Sequence, residues 1–238
     1  MSKKVSFSRH LEKHWLDQTA LWVAQDLDAK ALSEKIDRLV SSSINCKVNL
    51  GKTRNMLTNV WCVKPKHVSE QFQRFAVDQV THDCDIPLSL HWGVLIAKNK
   101  FFADVARFIG RNSKLNASFT YGQAQKRIVE LYGDTETVKR HLRSVLKTLV
   151  EFGVIVRGNK RDYSVVNEKL TIPTTMNNWL LTALLNSEDV NSRSLSDLLD
   201  DAVWFPFHFN VQFNDISTQW FELHQQGNDL ILFKKQRE

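Results

Sequence analysis

Residues 120–166 read TYGQAQKRIVELYGDTETVKRHLRSVLKTLVEFGVIVRGNKRDYSVV and contain the clearest secondary-structure signals of the chain. It opens with Thr120 and, three residues later, Gln123, the spacing of a capping box at a helix start. Apolar residues then recur at helical spacing, and Gly133 predicts the end of this helix. We expect Asp134 to cap the next helix directly. Two helices joined by so short a turn must cross at a steep angle, which predicts a helix-turn-helix.

The second helix, predicted over about residues 135–151, has two faces of opposite character. Its inward stripe is apolar and consists of Val138, Leu142, Val145, Leu146, Leu149 and Val150. The opposite stripe is polar and mostly cationic, with Glu136, Lys139, Arg140, Arg143, Ser144 and Lys147. A helix with these two faces is typical of one that lies in the major groove of DNA. The hydroxyls of Thr135 and Thr137, near the positive end of the helix dipole, suit a phosphate contact.

A basic hairpin is predicted to follow this helix. Phe152-Gly153 ends the helix, residues 154–156 begin a strand, and residues 163–166 return. The turn between the strands carries three cations, Arg157, Lys160 and Arg161. A helix around residues 101–109 supplies the first helix of a three-helix core. The sequence therefore predicts a winged helix-turn-helix over residues 87–168.

The positive charge of the chain is concentrated in this region. The net charge is +6, but residues 98–169 hold fifteen basic and seven acidic residues, a surplus of +8. The remainder of the chain therefore sums to −2. Such localisation indicates a nucleic-acid-binding surface, although basic segments are also often plain solvated surface.

The flanking regions have different patterns, and the fold class is predicted as mainly α with small β. Residues 1–86 show helical spacing throughout and predict a bundle of three to five helices. Residues 169–238 predict a small α+β unit. Its helices are expected at about residues 177–185 and 194–201, its half-buried, Phe-rich strand at residues 205–213, and its hairpin at residues 221–226 and 229–234 around Gly227-Asn228.

The sequence offers no catalytic, cofactor-binding or metal-binding motif, so we expect a protein that is not an enzyme. Asp197, Asp200 and Asp201 form the nearest carboxylate cluster, and they are interpreted as solvated helix surface without a basic partner. Residues 82–85 (His-Asp-Cys-Asp) contain metal-ligand types, but adjacent residues rarely reach one ion, and a polar loop is expected there. The cysteine spacing, the absence of an apolar leader and the absence of a membrane-spanning stretch favour a cytoplasmic protein.

The central region also resembles a known group of bacterial proteins. The resemblance rests on Leu90-His91-Trp92-Gly93, Phe101-Phe102-Ala103-Asp104-Val105-Ala106, Tyr132-Gly133-Asp134 and Leu149-Val150-Glu151-Phe152-Gly153-Val154. In these segments the chain is similar to the BrxA-like winged-helix accessory proteins of bacterial BREX phage-defence systems. The resemblance is architectural and covers about the first two thirds of the chain. It implies DNA binding without catalysis, beside larger restriction or modification components.

Double-stranded DNA is therefore the predicted partner, for a transcriptional regulator or a phage-defence accessory factor. The predicted contacts are Thr137, Lys139, Arg140, Arg143, Ser144 and Lys147 on the helix, and Arg157, Lys160 and Arg161 on the wing. Two other interpretations stay open. In one, the winged helix and the Phe-rich sheet dock a larger protein complex or a second copy of the chain. In the other, the protein is an enzyme with an unrecognised carboxylate site.

Overall fold

A computed structural model describes residues 5–80, 86–159, 162–227 and 229–235. Over these residues the chain is mainly helical with small sheets, which confirms the predicted fold class at this level. The α-helices are α1 Lys13–Ala24, α2 Ala29–Ser41, α3 Lys47–Trp61, α4 Glu70–Asp78, α5 Leu88–Lys98, α6 Lys100–Ser113, α7 Tyr121–Tyr132, α8 Glu136–Glu151, α9 Asn177–Glu188 and α10 Leu195–Leu199. The strands are β1 Phe119–Thr120, β2 Ile155–Arg157, β3 Asp162–Val165, β4 Leu170–Thr171, β5 Ser192–Ser194, β6 Phe207–His208, β7 Phe221–Gln226 and β8 Asp229–Lys234.

The first four helices form where local sequence signals agree with an apolar stripe. Asp28 caps α2 by accepting hydrogen bonds from the backbone N–H groups of residues 30 and 31, both at 2.9 Å. Leu32, Ile36 and Val40 then recur every four residues, and all three are buried. The described residues 5–80 contain four helices, within the predicted range of three to five.

Two glycines allow the central and C-terminal regions to pack closely. A β-carbon at Gly93 on α5 would lie 2.2 Å from a ring carbon of Trp179 on α9. A β-carbon at Gly110 on α6 would lie 1.9 Å from the carbonyl oxygen of Ala202. Among the described residues, buried side chains from all three sequence regions join one apolar cluster. The division of the chain at residues 86 and 168 stays a prediction.

The strands form three small sheets. The first has the order β1-β3-β2 and is antiparallel throughout. The second pairs β4 with β6 in parallel, and the third has the antiparallel order β5-β8-β7. The predicted hairpin is confirmed, because β7 and β8 pair from Phe221↔Lys234 to Gln226↔Asp229, and Gly227 beside the turn has a φ of 60°.

The long strand predicted over residues 205–213 is wrong, because regular pairing in this stretch is limited to Phe207–His208. Pro206 has no N–H to donate to a ladder, and residues 213–215 form a 3-10 turn. The alternating apolar residues from Phe205 to Val211 are buried or pack against the core, whereas Phe213 is 56% exposed. The alternation therefore marks side chains that face the core only as far as Val211, without continuous strand pairing.

Candidate nucleic-acid interface

The turn between α7 and α8 is built by side-chain caps. The predicted capping box is confirmed: Thr120 accepts from the Gln123 N–H, and the Gln123 side chain accepts from the Thr120 N–H at 2.7 Å. Gly133 ends α7 with a φ of 89°. The expectation that Asp134 caps α8 is wrong. Thr135 is the N-cap, since its hydroxyl accepts from the Val138 N–H at 3.2 Å, and Asp134 instead pairs with Lys139.

The inward face of α8 fixes which side of the helix reaches solvent. Val138, Leu142, Val145 and Leu149 are at most 2% exposed, as the apolar stripe predicts. His141 is buried with them, and its ring lies 6.2 Å from that of Phe101 on α6. Burial, followed by the charge of Arg140, lowers the pKa of His141, so this histidine is neutral at neutral pH.

Three of the predicted cations lie along the opposite face. Arg140, Arg143 and Lys147 are exposed and follow one another at helical spacing. Thr137 is also exposed near the start of the helix. The half-buried Ser144 hydroxyl donates to the carbonyl of Arg140 at 3.2 Å, which leaves its oxygen able to accept.

Lys139 differs from these cations. Its Nζ lies 2.8 Å from the carboxylate of Asp134 and 3.3 Å from that of Glu136. The hydrogen bonds with Asp134 and Glu136 raise the pKa of Lys139, so the amine stays charged. Its charge is partly compensated inside the protein, and Glu136 also presents an exposed carboxylate at the start of α8.

Two contacts hold the side chains of this face in place. The Arg143 guanidinium lies 5.6 Å from the ring centre of Tyr121 on α7. The Tyr121 hydroxyl in turn donates to the carbonyl of Lys139 at 3.3 Å. Arg143 is therefore supported by an aromatic ring of the preceding helix while its side chain stays exposed.

The N-terminal segment also reaches α8, which the sequence pattern did not indicate. The Leu11 N–H donates to the Thr148 hydroxyl at 2.8 Å, and the Lys147 Nζ lies 3.1 Å from the His10 Nε2. Burial and the nearby Lys147 charge lower the pKa of His10. Neutral His10 accepts a hydrogen bond from Lys147 and leaves the lysine charge in place.

The predicted hairpin is present beside α8. Strands β2 and β3 pair in antiparallel register from Ile155↔Val165 to Arg157↔Tyr163, and the Gly158 N–H donates to the Asp162 carbonyl at 2.9 Å. Arg157 is exposed. Lys160 and Arg161 lie outside the described residues. The sequence did not indicate β1, which pairs with β3 and is too short for any periodic signal.

Other cations of the basic segment are used inside the protein. The Arg107 guanidinium contacts three carboxylates, with Asp201 at 3.0 Å, Glu188 at 2.9 Å and Asp104 at 3.3 Å. Burial opposes its charge, but these carboxylates together raise the pKa of Arg107. Lys98 donates to the carbonyl of Val60 at 2.7 Å, and burial lowers its pKa to about 7. These two side chains are therefore not available to a ligand on α8.

The interpretation of the C-terminal carboxylates as solvated and without a basic partner is wrong for Asp201. Its side chain is 6% exposed and contacts Arg107 at 3.0 Å and Arg193 at 3.2 Å. Asp197 and Asp200 are exposed, as expected. The cluster thus splits into one buried structural carboxylate and two surface ones.

Within the described part of the chain, no group of three His, Cys, Asp or Glu side chains is placed to hold a metal ion. Residues 82–85, which carry metal-ligand types, lie outside it. No described helix is both long and apolar enough to cross a bilayer.

No protein-family model, curated protein or solved structure matches this chain.

Proposed function

We propose that this chain binds double-stranded DNA, with α8 in the major groove and the β2–β3 hairpin against the adjacent backbone. The observation that carries the proposal is the exposed cationic face of α8, formed by Arg140, Arg143 and Lys147 on a helix whose opposite face is buried. Cations held on a rigid element can neutralise phosphates and reach base edges.

The order of elements supports assigning residues 100–165 to a winged helix-turn-helix. Helix α6 is followed by β1, then α7, α8, β2 and β3, and the three strands pair in the order β1-β3-β2. In helix-turn-helix proteins the second helix of the pair enters the major groove. Here that helix is α8, the one with the exposed cations.

The side chains have different roles in this proposal. Arg140 and Arg143 are assigned to base edges, because they are exposed in the middle of α8, and the half-buried Ser144, which follows Arg143, is assigned the same role. Thr137 and Lys147, toward the two ends of α8, are assigned to phosphates. Lys139 contributes less than its neighbours, because Asp134 and Glu136 already compensate its charge. On the hairpin, Arg157 is exposed, and the same role is proposed for Lys160 and Arg161 from the sequence.

The test is a salt-titrated affinity measurement on the Arg140→Ala/Arg143→Ala double variant. Both side chains are exposed, so the fold and the unfolding free energy should change little. The affinity for DNA should fall, and the slope of log K against log salt should flatten by up to about 0.9 per lost phosphate contact. The control is Lys64→Ala/Lys66→Ala, which removes the same charge from an exposed loop far from α8 in the sequence.

Protein docking is the second candidate, favoured by a groove of about 510 Å³ between α6 and α7. Leu115 in its wall is 84% exposed, and Phe108 and Leu131 lie beside it. If the double variant binds DNA with the affinity and salt slope of the parent, this face of α8 is not the DNA-binding surface. If a variant of this face also loses a protein partner in a pull-down, docking replaces the DNA proposal. A role beside larger restriction or modification components, or in transcription regulation, is proposed from the BrxA-like resemblance alone.

A further inference from the structure

The N-terminal segment joins the cationic face of α8 to a second helix. His10 accepts from Lys147 at 3.1 Å, and the N–H of the next residue, Leu11, donates to Thr148 at 2.8 Å. Phe7 anchors the same segment, because it is fully buried and stacks on Phe102 with ring centres 5.6 Å apart. The segment is therefore packed beside the C-terminal half of α8.

Arg9 extends this contact to the start of α3. Its guanidinium donates to the side-chain carbonyl of Asn49. Cys46 is the N-cap residue of α3, and Asn49 and Lys52, three residues apart, are neighbours on the surface of its first two turns. Cys46 and Lys52 are exposed there. We call Arg9, Cys46, Asn49 and Lys52 the α3 patch.

Two cations lie near the exposed Cys46 thiol. The backbone N–H groups of Asn49 and Val48 lower the pKa of the exposed Cys46 thiol, and the charges of Arg9 and Lys52 act in the same direction. The two charged side chains that act on this thiol are thus both cations. One acid of the same segment, Glu12, lies 3.6 Å from both His10 and His14.

We propose that DNA bound by α8 continues across the N-terminal segment and contacts the α3 patch, where Arg9 and Lys52 meet its sugar–phosphate backbone. This inference rests on the proposed function and extends its surface beyond the winged helix-turn-helix. Contacts of this kind position a duplex and do not depend on its sequence. The helical region before residue 80 thereby becomes part of the DNA interface.

The native cysteines provide a matched test, because Cys46 and Cys62 cap opposite ends of α3 and are both exposed and free. The fifteen-residue helix separates them by roughly 20–25 Å. Iron–EDTA is tethered to Cys46 in a Cys62→Ser/Cys84→Ser variant, and to Cys62 in a Cys46→Ser/Cys84→Ser variant. A third protein carries the tether on the hairpin, at Asn159→Cys in a variant without native cysteines.

The expected result is DNA cleavage from Cys46 and from position 159, at different places along one duplex, and little from Cys62. Cleavage from position 159 alone overturns this inference while the proposed function stands. Equal cleavage from Cys46 and Cys62 also overturns it, because the DNA would then not follow the α3 patch. Absence of cleavage from all three tethers, with no measurable DNA binding, contradicts the proposed function as well.

A charge reversal checks the same inference without a tether. Lys52→Glu should lower the DNA affinity several-fold and flatten the salt slope, since it places a carboxylate against the backbone. Lys66→Glu, an equally exposed reversal after α3, should change neither. If the two reversals had equal effects, Lys52 would act on DNA only through the net charge of the protein, and the proposed contact would be overturned.

Discussion

Arg107 on α6 and Arg140 on α8 belong to the same basic segment, yet the structure uses them in opposite ways. Arg107 is 6% exposed and contacts carboxylates from three places in the chain, Asp104, Glu188 and Asp201. Arg140 is exposed. Within the protein, its charge helps to lower the pKa of the buried His141. One arginine joins helices within the core, and the other is presented to solvent.

The net charge of a segment therefore overstates the number of cations that it offers to a ligand. The surplus of +8 over residues 98–169 includes Lys98 and Arg107, which are bound inside the protein, and Lys139, which is paired with two acids. The cations that remain on α8 are Arg140, Arg143 and Lys147. Because these three cations are exposed, they are the ones on α8 that a ligand can reach.

The largest effect is expected for Arg107→Ala. The substitution leaves Asp201 buried with Arg193 as its remaining cation, and breaking a buried ion pair typically costs about 3–5 kcal/mol. The free energy of unfolding, measured by denaturant titration followed by circular dichroism, should fall by about this amount. Arg111→Ala, one turn along α6 and exposed, should stay within about 0.5 kcal/mol of the parent. Equal stabilities of the two variants would show that the Arg107 cluster contributes no more than a surface charge.

The sequence predicted those features that a short window encodes. The capping box at Thr120, the stop at Gly133 and the hairpin around Gly227 each depend on residues a few positions apart, and each is confirmed. The stripe that includes Val138 and Leu142 likewise identified the buried face of α8.

Long-range contacts could not be predicted in this way. The Arg107–Asp201 pair spans 94 positions and the Leu11–Thr148 hydrogen bond spans 137. No local pattern indicates which carboxylate a buried arginine will contact, so sequence alone predicts a solvent-exposed Asp201. The strand around Phe207 failed for a related reason: alternation reports which side chains are buried, whereas pairing requires a neighbouring strand of the right length.

A smaller effect on the unfolding free energy is expected from His91, another buried side chain whose partner cannot be predicted from the sequence. Its Nε2 lies 2.7 Å from the Asp17 carboxylate, while its buried Nδ1 has no hydrogen-bond partner among the described residues. Burial lowers the pKa of His91, although Asp17 acts in the opposite direction. Protonation in the folded state would place a second N–H where nothing accepts it.

The sign of the pH dependence follows from this direction. The pKa of His91 is lower in the folded state than its unfolded value near 6.5. The unfolding free energy is therefore highest above pH 6.5. It falls on acidification below that pH, by up to about 1.4 kcal/mol per pH unit. The unfolding free energy of the parent should therefore fall from pH 7 toward pH 5. His91→Gln, which can still donate to Asp17, should flatten this slope by up to one proton. An unchanged slope in His91→Gln would contradict the assignment.

The smallest effect is expected for Glu136→Gln, which changes the charge that surrounds Lys139 on α8. Glu136 is 80% exposed at the start of the helix and lies 3.3 Å from Lys139. Its replacement removes a carboxylate that repels phosphates and partly releases Lys139. DNA affinity should rise by about two- to fivefold, roughly 0.4–1 kcal/mol, and equally on unrelated duplexes. Stability should fall by about 0.3–1 kcal/mol, because an acid is lost at the positive end of the helix dipole. Glu130→Gln on α7 is the control. A loss of affinity on one duplex alone would instead identify Glu136 as a base contact, since a carboxylate can accept from cytosine.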